Sequence, residues 1–267
     1  MTLVELLISM AIMGLMSVVL AGMSNAVNSA WVYTKGVEVT ELQANAALER
    51  IKFMLSQTGG YRVTGQPPRL GVAVVTRSVG STTVPDVLVL WTGGRNGGLA
   101  ALGTQARLPV ASELLVYTWD VGLPNQLSEV AFPSSATNVD FAASTFADTI
   151  SSLLASPSVD RIPLSDRLRV SLLPNKSSAA STQSVGNVRF GVTWAPTDAE
   201  LANVSPVTSQ WYQLNWPQGT VGSRSGMRQA TLNLEVQIEP DGVVAGTGVV
   251  TAIPFFDSAS VRYVYEP

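Results

Sequence analysis

The stretch from Leu6 to Thr34 contains no charged residue, and Leu6–Met23 is almost wholly apolar. About 20 apolar residues in a helix span the hydrocarbon core of a bilayer, so this segment predicts a membrane-crossing helix. A cleaved secretory signal would need a basic n-region and a small-x-small cleavage site. This chain opens instead as Met1-Thr2-Leu3-Val4-Glu5, and the only charged side chain before Lys35 is that of Glu5. A carboxylate at the mouth of an apolar helix is costly in lipid unless it sits at the interface or has a partner. An α-amino group is the natural partner, and in a straight helix the amine of a neighbouring copy is better placed than the chain's own. The alternative is an interfacial Glu5 on a plain single-pass anchor. Only 13% of residues are charged against 46% hydrophobic, about half the usual charged share of a soluble domain.

Composition also removes whole classes of chemistry. With no cysteine and no histidine, disulfides, thiolate metal sites, cysteine nucleophiles and Ser-His-Asp triads are excluded. Sixteen Lys and Arg against nineteen Asp and Glu leave no basic excess for a phosphate backbone, so the bulk of the chain is not expected to bind nucleic acid. No convergent catalytic set, cofactor motif or metal cluster stands out, and the expectation is a protein that is not an enzyme.

Beyond the membrane length the pattern becomes amphipathic. Ala44, Leu48, Ile51 and Leu55 recur at helical spacing, while Glu38, Glu41, Glu49, Arg50 and Lys52 lie largely off that stripe. Gly59-Gly60 supplies a stop. The sequence therefore predicts one helix from Thr2 to Gln57, in a segment 1–58 whose residues 1–30 face lipid or partners and whose residues 31–58 pack on a head. Gly14 and Gly22 each cost about 1 kcal/mol relative to alanine inside a helix. They serve either close helix approach or local unwinding under packing.

Residues 59–267 read as a β-rich globular head, giving an α+β fold class. Candidate strands are Leu70–Thr76, Asp86–Trp91, Glu113–Val121, Leu168–Leu173, Asn187–Trp194, Gln210–Trp216, Gln229–Ile238, Val243–Ala252 and Ser260–Tyr265. Ala142–Leu154 suits a short amphipathic helix, and Asn175–Gly186 has the composition of an exposed loop. No internal repeat is evident.

Several local patterns invite a functional reading and do not sustain it. Gly93–Gly98 lacks the Lys-Ser/Thr of a phosphate loop and reads as a flexible surface turn. Gly222–Gly226 carries Arg224 where a nucleophile elbow needs serine. Glu239–Gly242 is a hairpin turn with too few carboxylates for a calcium site. Asn175-Lys176-Ser177 and Asn203-Val204-Ser205 match the N-glycosylation triplet. Trp91, Trp119, Trp194, Trp211 and Trp216 read as core and rim packing.

The opening run Thr2-Leu3-Val4-Glu5-Leu6-Leu7-Ile8-Ser9-Met10-Ala11-Ile12-Met13-Gly14-Leu15 resembles the processed N-terminus of type IV pilins and type II secretion pseudopilins. The likeness lies in a polar threonine, an acid and a small residue at set places in an otherwise interchangeable apolar run. Met1 stands where phenylalanine is commonest, and Gly22 stands where many pilins carry a helix-kinking proline. A weaker likeness covers Glu41–Arg50, Gly59-Gly60-Tyr61-Arg62 and Pro85–Leu90, similar to PilW-type minor pilins. Val188–Trp194, Trp211–Trp216 and Met227–Leu234 are similar to the J-type pseudopilin ending.

The resemblance implies a pilin-like fold, with a long N-terminal helix packed on the head. It implies that Met1 is the mature first residue, cut by prepilin peptidase and N-methylated, and that Glu5 pairs with the N-terminus of the adjacent subunit. The expected partners are other copies or other pilins in a filament and the inner-membrane assembly machinery with its ATPase. The expected location is the inner membrane before assembly and a cell-surface filament afterwards, or the periplasm for a pseudopilin. Two alternatives stand beside a structural subunit of a type IV pilus-like filament. One is a J-type pseudopilin of a type II secretion system; the other is a single-pass membrane-anchored surface adhesin or binding module. Without cysteines the head has no disulfide-closed loop and must be held by packing and strand pairing.

Overall fold

The computed structural model describes residues 2–79, 82–175, 178–202, 220–222, 225–240 and 252–265. Its dominant element is α1 (Leu3–Ser56), a single helix of 54 residues and about 80 Å long. Every residue of it up to Lys35 is exposed, and the first buried position is Gly36. From there Thr40, Ala44, Ala47, Leu48, Ile51, Met54 and Leu55 turn inward at steps of three and four. The head contact thus begins about five residues later than the sequence boundary at residue 31. The helix stops at Gln57, whose N–H bonds back to the Met54 carbonyl at 3.1 Å. Gly59 follows because a Cβ there would sit 2.8 Å from that of Leu99.

After the helix, β1 (Gly60–Tyr61) pairs antiparallel with β2 (Arg69–Leu70) and parallel with β5 (Thr104–Gln105). The centre of the head is an antiparallel five-stranded sheet in the order β3 (Val72–Val79), β4 (Thr82–Trp91), β6 (Leu114–Trp119), β7 (Leu127–Ala131), β8 (Asp160–Ser165). Both faces of its middle strands are covered, which explains their nearly unbroken apolar runs. Leu88, Leu90, Leu115, Tyr117 and Trp119 join α1 and a second sheet in one core. Val87, Val89, Trp91, Leu114 and Val116 face the other way, onto Phe146 and Ile150 of α2 (Phe146–Leu154).

A hairpin of β9 (Val170–Asn175) and β10 (Ser178–Gly186) leads into the second sheet. There β11 (Val188–Ala195) and β14 (Ile253–Tyr265) flank β13 (Ser225–Ile238), with β12 (Thr220–Gly222) at the start of β13. A short helix, α3 (Asp198–Ala202), follows β11. Along β13, Ala230, Leu232, Leu234, Val236 and Ile238 are buried while Gln229, Thr231, Asn233, Glu235 and Gln237 alternate outward, the period of two expected of a half-buried strand.

Two sequence readings change. Asn175–Gly186 is not an exposed loop: most of it is β10, held by backbone pairing to β9, with Val185 in the core. Strands β7 and β8 were not among the candidates, because β7 carries the polar pair Ser128-Glu129 and β8 contains Pro163. Proline is tolerated there because β8 is an edge strand. Gln210–Trp216 and Val243–Thr251 lie outside the described residues. The class is α+β, a long apolar N-terminal helix with a head of several sheets.

Candidate assembly helix and its junction with the head

The start of α1 is built by its own side chains. Thr2 is the N-cap, with extended backbone at φ −82° and ψ 153°. Its hydroxyl accepts from the Glu5 N–H at 3.4 Å, and Glu5 Oε2 accepts from the Thr2 N–H at 2.8 Å. This reciprocal capping box satisfies two of the donors a helix start leaves open. The fold therefore brings Thr2 and Glu5 together and gives Glu5 a partner within its own chain, which sequence reasoning had sought only in a neighbour. The T-x-x-E spacing was the available signal. Glu5 Oε1 makes no hydrogen bond among the described residues. Met1 lies outside them.

Downstream, three hydroxyls of the apolar half bond inward. Ser9, Ser17 and Thr34 donate to the carbonyls of Glu5, Met13 and Ala30 at 2.9, 2.8 and 2.9 Å, which removes the cost of taking hydroxyls into lipid. The 18-residue window of highest mean hydropathy reaches 2.4, and none of it is buried. Leu7, Met13, Val18, Leu20 and Met23 are all more than half exposed. Gly14 and Gly22 sit in unbroken helix, about 12 Å apart along the axis, and a Cβ added at either meets no atom within 4 Å. The apolar run ends in Trp31, Tyr33 and Lys35, with the Lys35 ammonium 5.0 Å from the Trp31 ring centroid. Aromatic and cationic residues at the end of a span are the usual interfacial anchors. Their position directly after the apolar run made them legible, and the sequence reading passed over them.

Two ion clusters then lock the helix to the head. Glu129 on β7 is only 2% exposed. It accepts from Arg50 Nε at 2.8 Å, from Arg50 Nη2 at 3.2 Å and from the Tyr117 hydroxyl at 3.0 Å, and Arg95 Nε lies 3.3 Å away. Burial and the adjoining Glu129 carboxylate push the Tyr117 phenol well above its ordinary value. On the other side, Lys52 bridges Glu49 at 2.7 Å and Asp257 of β14 at 2.8 Å. Arg50 and Lys52, placed off the buried stripe by periodicity, are the residues that pin the helix to both sheets.

The Gly93–Gly98 segment is a surface turn tied to the head through its backbone. Gly93, Gly94, Gly97 and Gly98 have positive φ, and the Gly93 and Gly94 amides donate to the Glu113 carbonyl at 3.1 and 2.9 Å. Those amides are therefore already used. Arg95 of the same turn pairs with Asp160 as well as lying beside Glu129. Glu113 itself holds Arg107 in a two-point contact at 2.8 and 2.6 Å and accepts from the Trp91 indole at 2.9 Å. The Arg107 hydrogen bonds, opposed by partial burial, hold its carboxyl below the usual range.

Trp91 and Trp119 are core residues and Trp194 is half-buried; Trp211 and Trp216 lie outside the described residues. So do Ser223, Arg224, Asp241, Gly242, Lys176, Ser177 and Asn203–Ser205. Beneath α2 a cavity of about 320 Å³ is lined by Val75, Val87, Ile150 and Leu154. Its two guanidiniums, Arg77 and Arg161, are matched by Asp86 and Asp120. No group of three or more metal-ligating side chains occurs among the described residues. No protein-family profile, curated protein or solved structure matches the chain.

Proposed function

We propose that this chain is a membrane-inserted structural subunit of a type IV pilus-like filament, whose apolar helix leaves the bilayer and bundles with other copies while the head stays outside. The observation that carries the reading is a helix exposed on every side over residues 3–35 that runs without a break into the packed core of the head. About 50 Å of exposed helix exceeds the roughly 30 Å that a hydrocarbon core requires. The absence of a hinge means that whatever orients the helix orients the head. A plain anchor has no need of that rigidity, whereas a filament subunit does.

In this reading Glu5 Oε2 keeps its bond from the Thr2 N–H while Oε1 receives the amine of the adjacent subunit. Subunits wait in the inner membrane, and prepilin peptidase and the assembly machinery act on the N-terminus. A J-type pseudopilin of a type II secretion system would use the same helix in a periplasmic filament. One observation favours the second reading, a single-pass anchored binding module: the capping box satisfies Glu5 locally without any neighbour. Intact mass of the chain recovered from membranes tests the proposal together with imaging of surface filaments. A start at Met1 bearing one extra methyl, and filaments in which this chain repeats, are expected. A product starting beyond residue 20 would overturn it.

A further inference from the structure

A second cavity, of about 300 Å³, opens where β2 meets the end of the four-stranded sheet, and it is lined by Arg69, Phe141, Trp194, Asp198, Arg228 and Tyr263 among others. Its base is a built arrangement. The Arg228 side chain is 7% exposed. Its Nε donates to the Pro196 carbonyl at 2.9 Å, Nη2 to Asp198 Oδ1 at 2.7 Å and Nη1 to the Tyr263 hydroxyl at 3.4 Å. The guanidinium carbon lies 4.8 Å from the Trp194 ring centroid and 5.7 Å from that of Tyr265. A guanidinium has five N–H donors, so two remain. The Tyr263 oxygen accepts from Arg228 and retains its own hydrogen to donate. Asp198 is 84% exposed, which leaves its second oxygen to accept. Across the cavity Arg69 has no ion-pair partner among the described residues.

Two guanidiniums and one carboxylate leave the cavity with a single net positive charge, matching a ligand of one negative charge rather than a doubly charged phosphate. Spare donors and a spare acceptor side by side suit hydroxyls, which do both. The rings of Trp194, Tyr263 and Phe141 supply apolar wall. The volume lies at the small end of ligand sites. We propose that this cavity binds an acidic sugar, a hexuronate unit whose carboxylate is held between Arg69 and Arg228 and whose ring hydroxyls meet Asp198 and Tyr263.

The test uses the full chain in detergent micelles, titrated with galacturonate and with galactose, which differ only at C6, a carboxylate in the first and a neutral hydroxymethyl group in the second. Binding is followed by calorimetry and by tryptophan fluorescence. Galacturonate should bind at least tenfold more tightly than galactose. Arg69→Gln, at an exposed position, should erase that preference, and Arg69→Lys should keep it. Equal binding of the two sugars, no binding of galacturonate, or a preference that survives Arg69→Gln would overturn the proposal. Inorganic phosphate competing as strongly as galacturonate would also overturn it, since the site would then read charge and not a sugar.

Discussion

Replacing Glu5 by glutamine and by alanine separates its two roles. The capping box needs an acceptor that can reach the Thr2 N–H, now 2.8 Å away, and glutamine provides one as glutamate does. Alanine removes it, at a cost of about 1 kcal/mol for the lost hydrogen bond to the Thr2 N–H, with up to roughly 1 kcal/mol more for the negative charge at the positive end of the helix dipole. Those terms belong to the single chain and change a subunit equilibrium about five- to thirtyfold. An intersubunit pair with an amine, shielded from water, is a different quantity. Removing one partner of such a pair costs about 3–5 kcal/mol, or roughly two to three and a half orders of magnitude per subunit.

Glu5→Gln and Glu5→Ala should therefore both abolish detectable filaments, with membrane insertion and head folding unchanged. The assay is filament protein sheared from the cell surface, quantified against the membrane pool, with head integrity checked by protease resistance. Wild-type filament yield from Glu5→Gln, combined with a modest loss from Glu5→Ala, would assign Glu5 to helix capping alone and refute the pairing argument.

Three further outcomes follow from other parts of the chain. Gly14→Ala with Gly22→Ala should strengthen the single-chain helix by up to about 2 kcal/mol. If assembly needs the helix to unwind there, filament yield falls while insertion is unaffected; a filament map with continuous helix through residues 14–22 would refute unwinding. Glu129→Ala leaves Arg50 and Arg95 without their buried carboxylate and should cost the head about 3–5 kcal/mol, lowering the melting temperature of the full chain in detergent by roughly 6–20 °C; a shift under 3 °C would show that the cluster is not structural. Glu113 has its folded pKa lowered, so its contribution is fully present above the unfolded value near 4.5 and is lost as pH falls through the folded value. The stability gap between wild type and Glu113→Gln should narrow below about pH 4.5 in melts taken from pH 6 to pH 3, and a gap that widens would reverse the sign of the argument.

The long helix was legible because its two halves carry unmistakable patterns, uniformly apolar and then apolar at helical spacing through Ala44, Leu48, Ile51 and Leu55. The central strands were legible for the same reason: Val87–Trp91 and Leu114–Tyr117 are buried on both faces and therefore apolar throughout. What escaped was set by partners distant in sequence. Nothing near Glu129 announces that Arg50, 79 residues earlier, neutralises it, so a strand with a buried acid does not look like a strand. Strand β10 escaped because backbone pairing holds it and its Ser and Thr side chains carry no apolar period. At the N-terminus the position of Glu5 drew attention and the Thr2-x-x-Glu5 spacing did not, although the capping box is the shorter-range inference.

On the proposed filament reading, the exposed half of α1 also limits where the free energy of assembly can come from. Moving an apolar helix from lipid into a bundle of identical helices removes no apolar surface from water, since lipid tails already cover it, so hydrophobic burial contributes little. What remains is close packing and the pairing of polar groups. The hydroxyls of Ser9, Ser17 and Thr34 already bond within the helix, so they offer little cross-helix attraction. Within residues 2–30, Glu5 Oε1, the bare helix surface at Gly14 and Gly22, and the exposed polar side chains of Ser24, Asn25, Asn28 and Ser29 remain for specific contact. An uncharged helix with those features removed would still insert, and its clusters at Arg50 and Lys52 would still hold the head. On the proposed filament reading, such a chain would lose only the contacts that set its register with its neighbours.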